Sequence, residues 1–181
     1  MEIAYKMRTA KSCGPDAVGF VFKKFFNKTQ EEVDKAFGIN DINNFKNFGD
    51  TPWNHFSACW KLHQPILPIS SSKIIRRQAE NEKTIILFHY LCEEPELRNL
   101  YTSIYGEIFK NLYEHWIILH SVTDTHLIIH WGDGQIHYIS HELFEKSFNA
   151  GLVRCAYVIG KGKMYLPFWV RWYANLTGRF Y

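Results

Sequence analysis

With 181 residues, 46% of them hydrophobic and 17% aromatic, the chain has enough apolar material for a substantial core, which excludes a disordered or low-complexity polypeptide. Its 21 basic and 18 acidic residues leave a net charge of +3, too small a surplus to imply nucleic acid as a partner. Cys13, Cys59, Cys92 and Cys155 are widely spread with no CxxC pair, which argues against a cysteine-built zinc site and a disulfide scaffold.

In chain order, the first helix is expected to open at Cys13. Gly14 relieves crowding, Pro15 suits a first helical turn, Asp16 complements the dipole, and Val18, Val21, Phe22 and Phe25 recur on one face. Thr29-Gln-Glu-Glu32 is a capping box for a second helix that buries Val33, Ala36 and Phe37 and stops at Gly38. Thr51-Pro52 starts a third helix carrying Trp53, Phe56 and Trp60. The serines at 70–72 precede a short fourth helix through Ile74, Ile75 and Ala79.

At Thr84 the pattern changes. TIILFHY reads as a buried strand, and residues 92–114 as a partly helical insertion. HWIILHSV, THLIIHW and QIHYIS read as three consecutive strands, with turns at Asp124-Thr125 and at Gly132-Asp133-Gly134. Ser140 caps a helix through Leu143, Phe144 and Phe148, and VRCAYVI is the last strand. Helices first and an antiparallel sheet afterwards predict an α+β domain over 1–181, with a helical half to about residue 83 and a sheet half over 84–159. The segment 160–181 carries Lys161, Lys163, Arg171 and Arg179 among Tyr165, Phe168, Trp169, Trp172, Tyr173, Phe180 and Tyr181. It is expected to close over the core rather than to contact a membrane or nucleic acid. The N-terminus has no apolar signal region, and no apolar stretch is long enough to span a bilayer, so a cytoplasmic location is expected.

The chemistry is expected at Cys13. A cysteine nucleophile must be a thiolate, and a helix N-terminus beside an imidazolium lowers the thiol pKa. Cys13 opens a helix, with Arg8 and Lys11 nearby, and His115 opens the strand HWIILHSV, where its ring faces the sheet's end. Asp133, in the hairpin that returns beside His115, is the carboxylate placed to orient the imidazole, with His130 as the alternative. The remaining histidines form no His-Glu-x-x-His pattern, so no metal is expected, and no cofactor either. His89 and Cys92 form a weaker rival pair because Glu93 and Glu94 adjoin Cys92, and Cys59 and Cys155 read as core.

Ser12-Cys13-Gly14-Pro15-Asp16-Ala17, His115-Trp116-Ile117-Ile118-Leu119 and Ile139-Ser140-His141-Glu142-Leu143-Phe144 together resemble the papain-like cysteine peptidases, most nearly the double-glycine leader peptidases that process bacteriocin precursors. The resemblance spans about residues 5–159 and implies a papain-like fold, a peptide or protein substrate, and an acyl-thioester mechanism run by Cys13 and His115. The same pair serves deamidases and acyltransferases, and some domains of this type bind a peptide without cutting it. Two positions depart from the pattern. Met7 stands where the family has the Gln that helps hold the oxyanion, which leaves Ser12 and Arg8 as the candidate donors beside the Cys13 N–H. The family's Asp, 15 or 16 residues after the His, falls on His130 or Trp131.

Overall fold

A computed structural model describes residues 4–9, 12–44, 52–64, 66–69, 71–80, 84–90, 99, 102–103, 114–149 and 153–160. Helix α1 (Cys13–Phe26) begins where Ser12 offers its carbonyl to the Asp16 N–H at 2.9 Å. It ends at Asn27, whose left-handed conformation (φ 54°) suits asparagine at a helix C-terminus. Helix α2 (Gln30–Phe37) has the expected capping box. Glu32 N–H donates to Thr29 Oγ1 at 3.2 Å, Thr29 N–H donates to Glu32 Oε2 at 2.8 Å, and Gly38 (φ 78°) stops the helix. A single 3-10 turn follows at Ile42–Asn44.

Helix α3 (Pro52–Lys61) buries His55, Ala58 and Cys59 and turns Phe56 and Trp60 outward. Among its described side chains the buried ones are therefore smaller than the aromatic sequence suggests, and the side chain of Trp53 lies outside the described residues. Strand β1 (Leu67–Ile69) is an element the sequence pattern does not announce, being three residues long with a proline at its centre. It lies at the sheet edge, where a missing N–H costs no ladder bond. Helix α4 (Ser72–Ala79) follows.

The sheet is completed by β2 (Thr84–Tyr90), β3 (Glu114–Val122), β4 (His126–His130), β5 (Ile136–Ser140) and β6 (Val153–Ile159). Helix α5 (His141–Asn149) lies between β5 and β6, with Ser140 Oγ accepting from Leu143 N–H at 3.1 Å. All six strands pair antiparallel in the order β1-β6-β2-β3-β4-β5. Helices gathered before an antiparallel sheet make this an α+β fold.

The pleat divides the core. Trp116 and Ile118 of β3, with Tyr157 and Ile159 of β6, pack beneath α1–α3 against Val18, Phe22, Val33 and Cys59. Ile117 and Leu119, with Ala156 and Val158, join Ile75, Leu127, Ile129, Trp131 and Phe144 in a second cluster. The insertion at 92–113 and the segment 161–181 lie outside the described residues apart from Asn99, Thr102 and Ser103. Among the described residues, no helix is long and apolar enough to cross a membrane.

Candidate active site at one end of the sheet

Cys13 is the first residue of α1 and keeps 7% of its surface, whereas Cys59 keeps none. Helix α1 runs along β3 in the same direction. The Phe20 ring lies 5.5 Å from that of His130, which pairs with Ile118, and Lys24 Nζ meets His120 Nε2 at 2.6 Å. Seven helical residues from Phe20 back to Cys13 span about 10 Å at the helical rise. Three strand residues from Ile118 back to His115 span about 10 Å as well. The start of α1 is thus level with His115 along the sheet axis.

The same end carries the β4–β5 turn and the N-terminal segment. Lys6 bridges to Gly132 and Asp133, Met7 N–H donates to Gly132 O at 2.8 Å, and Gly134 N–H donates to Tyr5 O at 3.0 Å. Gly132 sits at φ 101°, and a Cβ there would fall 2.9 Å from both Met7 Cγ and Tyr5 Cε1. Only glycine satisfies both the conformation and the close approach.

His115 is buried, and its Nε2 pairs with the carbonyl oxygen of Trp131. The rings of the two residues lie 5.2 Å apart. Trp131 is the sixteenth residue after His115, one of the two positions where the sequence resemblance predicts a carboxylate, and the partner it offers is its main-chain carbonyl. A carbonyl fixes the ring and the tautomer: the proton is on Nε2, and Nδ1 is the basic nitrogen. It supplies no full negative charge to an imidazolium.

Asp133 is engaged elsewhere. Its Oδ2 lies 2.7 Å from His137 Nε2, and its Oδ1 accepts from Gln135 N–H at 2.9 Å. His130 is fully buried on the α1 face. Its Nδ1 accepts from Tyr5 N–H at 3.2 Å, and its ring stacks on His120 at 5.1 Å. Both expected orienting side chains therefore have partners other than His115.

Ser12 and Arg8, the expected oxyanion donors, are bound into the helix start. Ser12 Oγ lies 2.5 Å from Asp16 Oδ2 and accepts from Thr9 N–H at 2.9 Å. Arg8 donates from its main-chain N–H and from Nε to Asp16 at 2.7 and 2.6 Å, and reaches Asp34 with both terminal nitrogens. Its guanidinium is pushed above its ordinary value, chiefly by the Asp34 carboxylate, with Asp16 adding to the effect and burial opposing it. Asp16, 3% exposed at its side chain, is thus more than a complement to the helix dipole: it is the buried anchor on which Arg8 and Ser12 converge. Cys59 is held as a neutral thiol, its pKa raised by burial alone. Cys92, Lys11 and the side chains of His89 and Cys155 lie outside the described residues.

Pattern reading missed two contributors to this end of the sheet. Nothing in a sequence marks a main-chain carbonyl as an acceptor, so Trp131 was visible only as a position in a count. Tyr5, 1% exposed, donates its hydroxyl to Cys13 O at 2.7 Å. An aromatic residue eight positions before the cysteine was the available signal.

The fold has known counterparts. The structure is similar to the peptidase domain of Streptococcus ComA, a bi-functional ABC transporter involved in a quorum sensing pathway, with a TM-score of 0.58 and 13% identity, covering 89% of this chain and 100% of that domain. It is also similar to a C39-like peptidase from Bacillus anthracis, with a TM-score of 0.59 and 8% identity, covering 90% of this chain and 100% of the other. At these identities the likeness establishes the fold: the chain has the papain-like α+β fold of such peptidase domains. No family model matches the sequence, and no curated protein matches it.

Proposed function

We propose that the chain is a cysteine peptidase in which Cys13 is the nucleophile and His115 the base. The observation that supports this reading is that the two residues lie toward the same end of the sheet. Cys13 opens α1 level with His115, at the end of the sheet where the Trp131 carbonyl fixes the imidazole, in a fold shared with two peptidase domains. The positive end of the α1 dipole favours a thiolate. Nδ1 of His115 takes the Cys13 proton, the sulfur adds to a peptide carbonyl, and the backbone N–H of Cys13 donates to the oxyanion. The imidazolium then protonates the leaving amine, and water releases the acyl group. Water as acceptor gives hydrolysis, whereas an amine acceptor gives acyl transfer by the same steps.

A second reading, a peptide-binding domain without catalysis, has three observations of its own. Met7 replaces the oxyanion Gln, and Asp133 is paired with His137. Moreover, His115 shares the strand alternation of Ile117 and Leu119, so it leaves β3 on the face opposite α1. Catalysis therefore requires the pair to meet around the end of β3 rather than across its face.

Iodoacetamide labelling followed across pH, with each cysteine resolved by mass spectrometry, separates the two. A peptidase gives a Cys13 labelling midpoint at least about one unit below the ordinary thiol value near 8.5. That advantage disappears in His115→Ala, while Cys59 stays unlabelled until the protein unfolds. A Cys13 midpoint at the ordinary value, unaffected by His115→Ala, establishes the binding domain instead.

A further inference from the structure

Tyr5 ties together two parts of this end of the sheet. Its hydroxyl donates to Cys13 O, its N–H donates to His130 Nδ1, and its carbonyl accepts from Gly134 N–H. Its ring lies 6.1 Å from that of Phe20 and against the space where a side chain at Gly132 would stand. One buried residue therefore touches both the first peptide of α1 and the turn whose Trp131 carbonyl holds His115.

We propose that Tyr5 is a positioning residue that keeps the start of α1 and the 131–134 turn in a single register, and so couples Cys13 to His115. This inference rests on the Cys13–His115 pairing proposed above.

The physical route is short. The Cys13 carbonyl and the Gly14 N–H belong to one planar peptide unit. A donor on that carbonyl polarises the unit and adds to the positive potential at the helix mouth. The same hydrogen bond prevents the first turn from fraying away from the hairpin. Among the described residues, the charged groups packed at this helix start include Arg8 and Asp16, with Asp34 behind Arg8. Tyr5 adds a neutral donor to them, so its removal changes the thiolate's surroundings without changing net charge.

Tyr5→Phe keeps the ring and both main-chain contacts and removes the hydroxyl alone. In the iodoacetamide assay, Cys13 of Tyr5→Phe is expected to label about two- to tenfold more slowly than wild type at a pH below the wild-type midpoint, with the midpoint itself moved upward. Replacement of Tyr5 by 3-fluorotyrosine, a stronger donor of nearly the same shape, moves the midpoint the other way. Leu127→Ala, in the cluster on the opposite face, lowers stability without touching this end of the sheet and leaves the midpoint where it is. A Tyr5→Phe protein that is less stable yet has the wild-type Cys13 profile reduces Tyr5 to a packing residue and overturns the inference. A wild-type Cys13 that already titrates as an ordinary thiol overturns the dyad instead, so the two failures are distinct.

Discussion

At the scale of single residues, the most consequential is Met7. Its N–H is held by Gly132, and its partly buried side chain packs on the core beneath α1, at the end of the sheet that carries Cys13 and His115. The thioether cannot donate to an oxyanion, and the other candidate donors, Ser12 and Arg8, are occupied with Asp16 and Asp34. An oxyanion donor contributes ~10²–10³ to the rate in enzymes that have one. Met7→Gln is therefore expected to raise the acylation rate of Cys13 by p-nitrophenyl acetate by at least about tenfold, and at most by that full range, at a modest loss of stability. The measurement is the stopped-flow burst of nitrophenolate. A variant no faster than wild type, with its fold intact, shows that an oxyanion at this site is held without position 7. The helix start at Cys13 and the strand that carries His115 were legible in the sequence because both are marked by local signals, a Gly-Pro pair and an apolar run. Asp133 was misleading because Gly-Asp-Gly is turn chemistry. Its carboxylate caps Gln135 N–H and meets His137, as a hairpin aspartate does.

At the scale of elements, agreement follows wherever the signal is contained in one turn of chain. The α2 box, the Gly38 stop and the Ser140 cap all appear as expected, because each involves partners three or four residues apart. Strand β1 was invisible, since three residues with a central proline carry no alternation and acquire their pairing only from β6. The buried face of α3 was obscured by its exposed aromatics. The capping box also yields a pH prediction. The Glu32 carboxyl is held below its ordinary value, first by the Lys28 ammonium at 2.8 Å and then by the Thr29 N–H. A carboxyl depressed in the folded state stabilises the fold above its unfolded value and ceases to do so as pH falls through the folded value. Glu32→Gln retains the reach to Thr29 N–H and loses the charge. It is expected to be slightly less stable than wild type at neutral pH and indistinguishable from it once the pH is well below about 4. Urea denaturation at the two pH values measures this, and added salt should narrow the neutral-pH difference. A difference that persists in acid would assign the effect to geometry rather than to charge.

At the scale of the whole molecule, the two halves of the sequence are not two halves of the structure. Strands β3 and β6 contribute alternate residues to opposite faces. Trp116, Ile118, Tyr157 and Ile159 lie beneath the N-terminal helices, and Ile117, Leu119, Ala156 and Val158 lie on the other side. A strand cannot leave one core and remain in the other, so the helices carrying Cys13 and the sheet carrying His115 should unfold together. Phe22→Ala and Phe144→Ala remove large buried side chains from opposite faces, and each is expected to cost about 3–5 kcal/mol. Each should lower one common urea midpoint, at which tryptophan fluorescence, far-UV dichroism and exposure of the Cys59 thiol change in step. If Phe22→Ala instead exposes Cys59 at a urea concentration where the dichroism of the sheet persists, the helical layer is an independently melting unit. The N-terminal helices would then come away before the sheet does. Coincident transitions show instead that α1 and the sheet belong to one cooperative unit, in which the strands shared by both cores hold the two layers together.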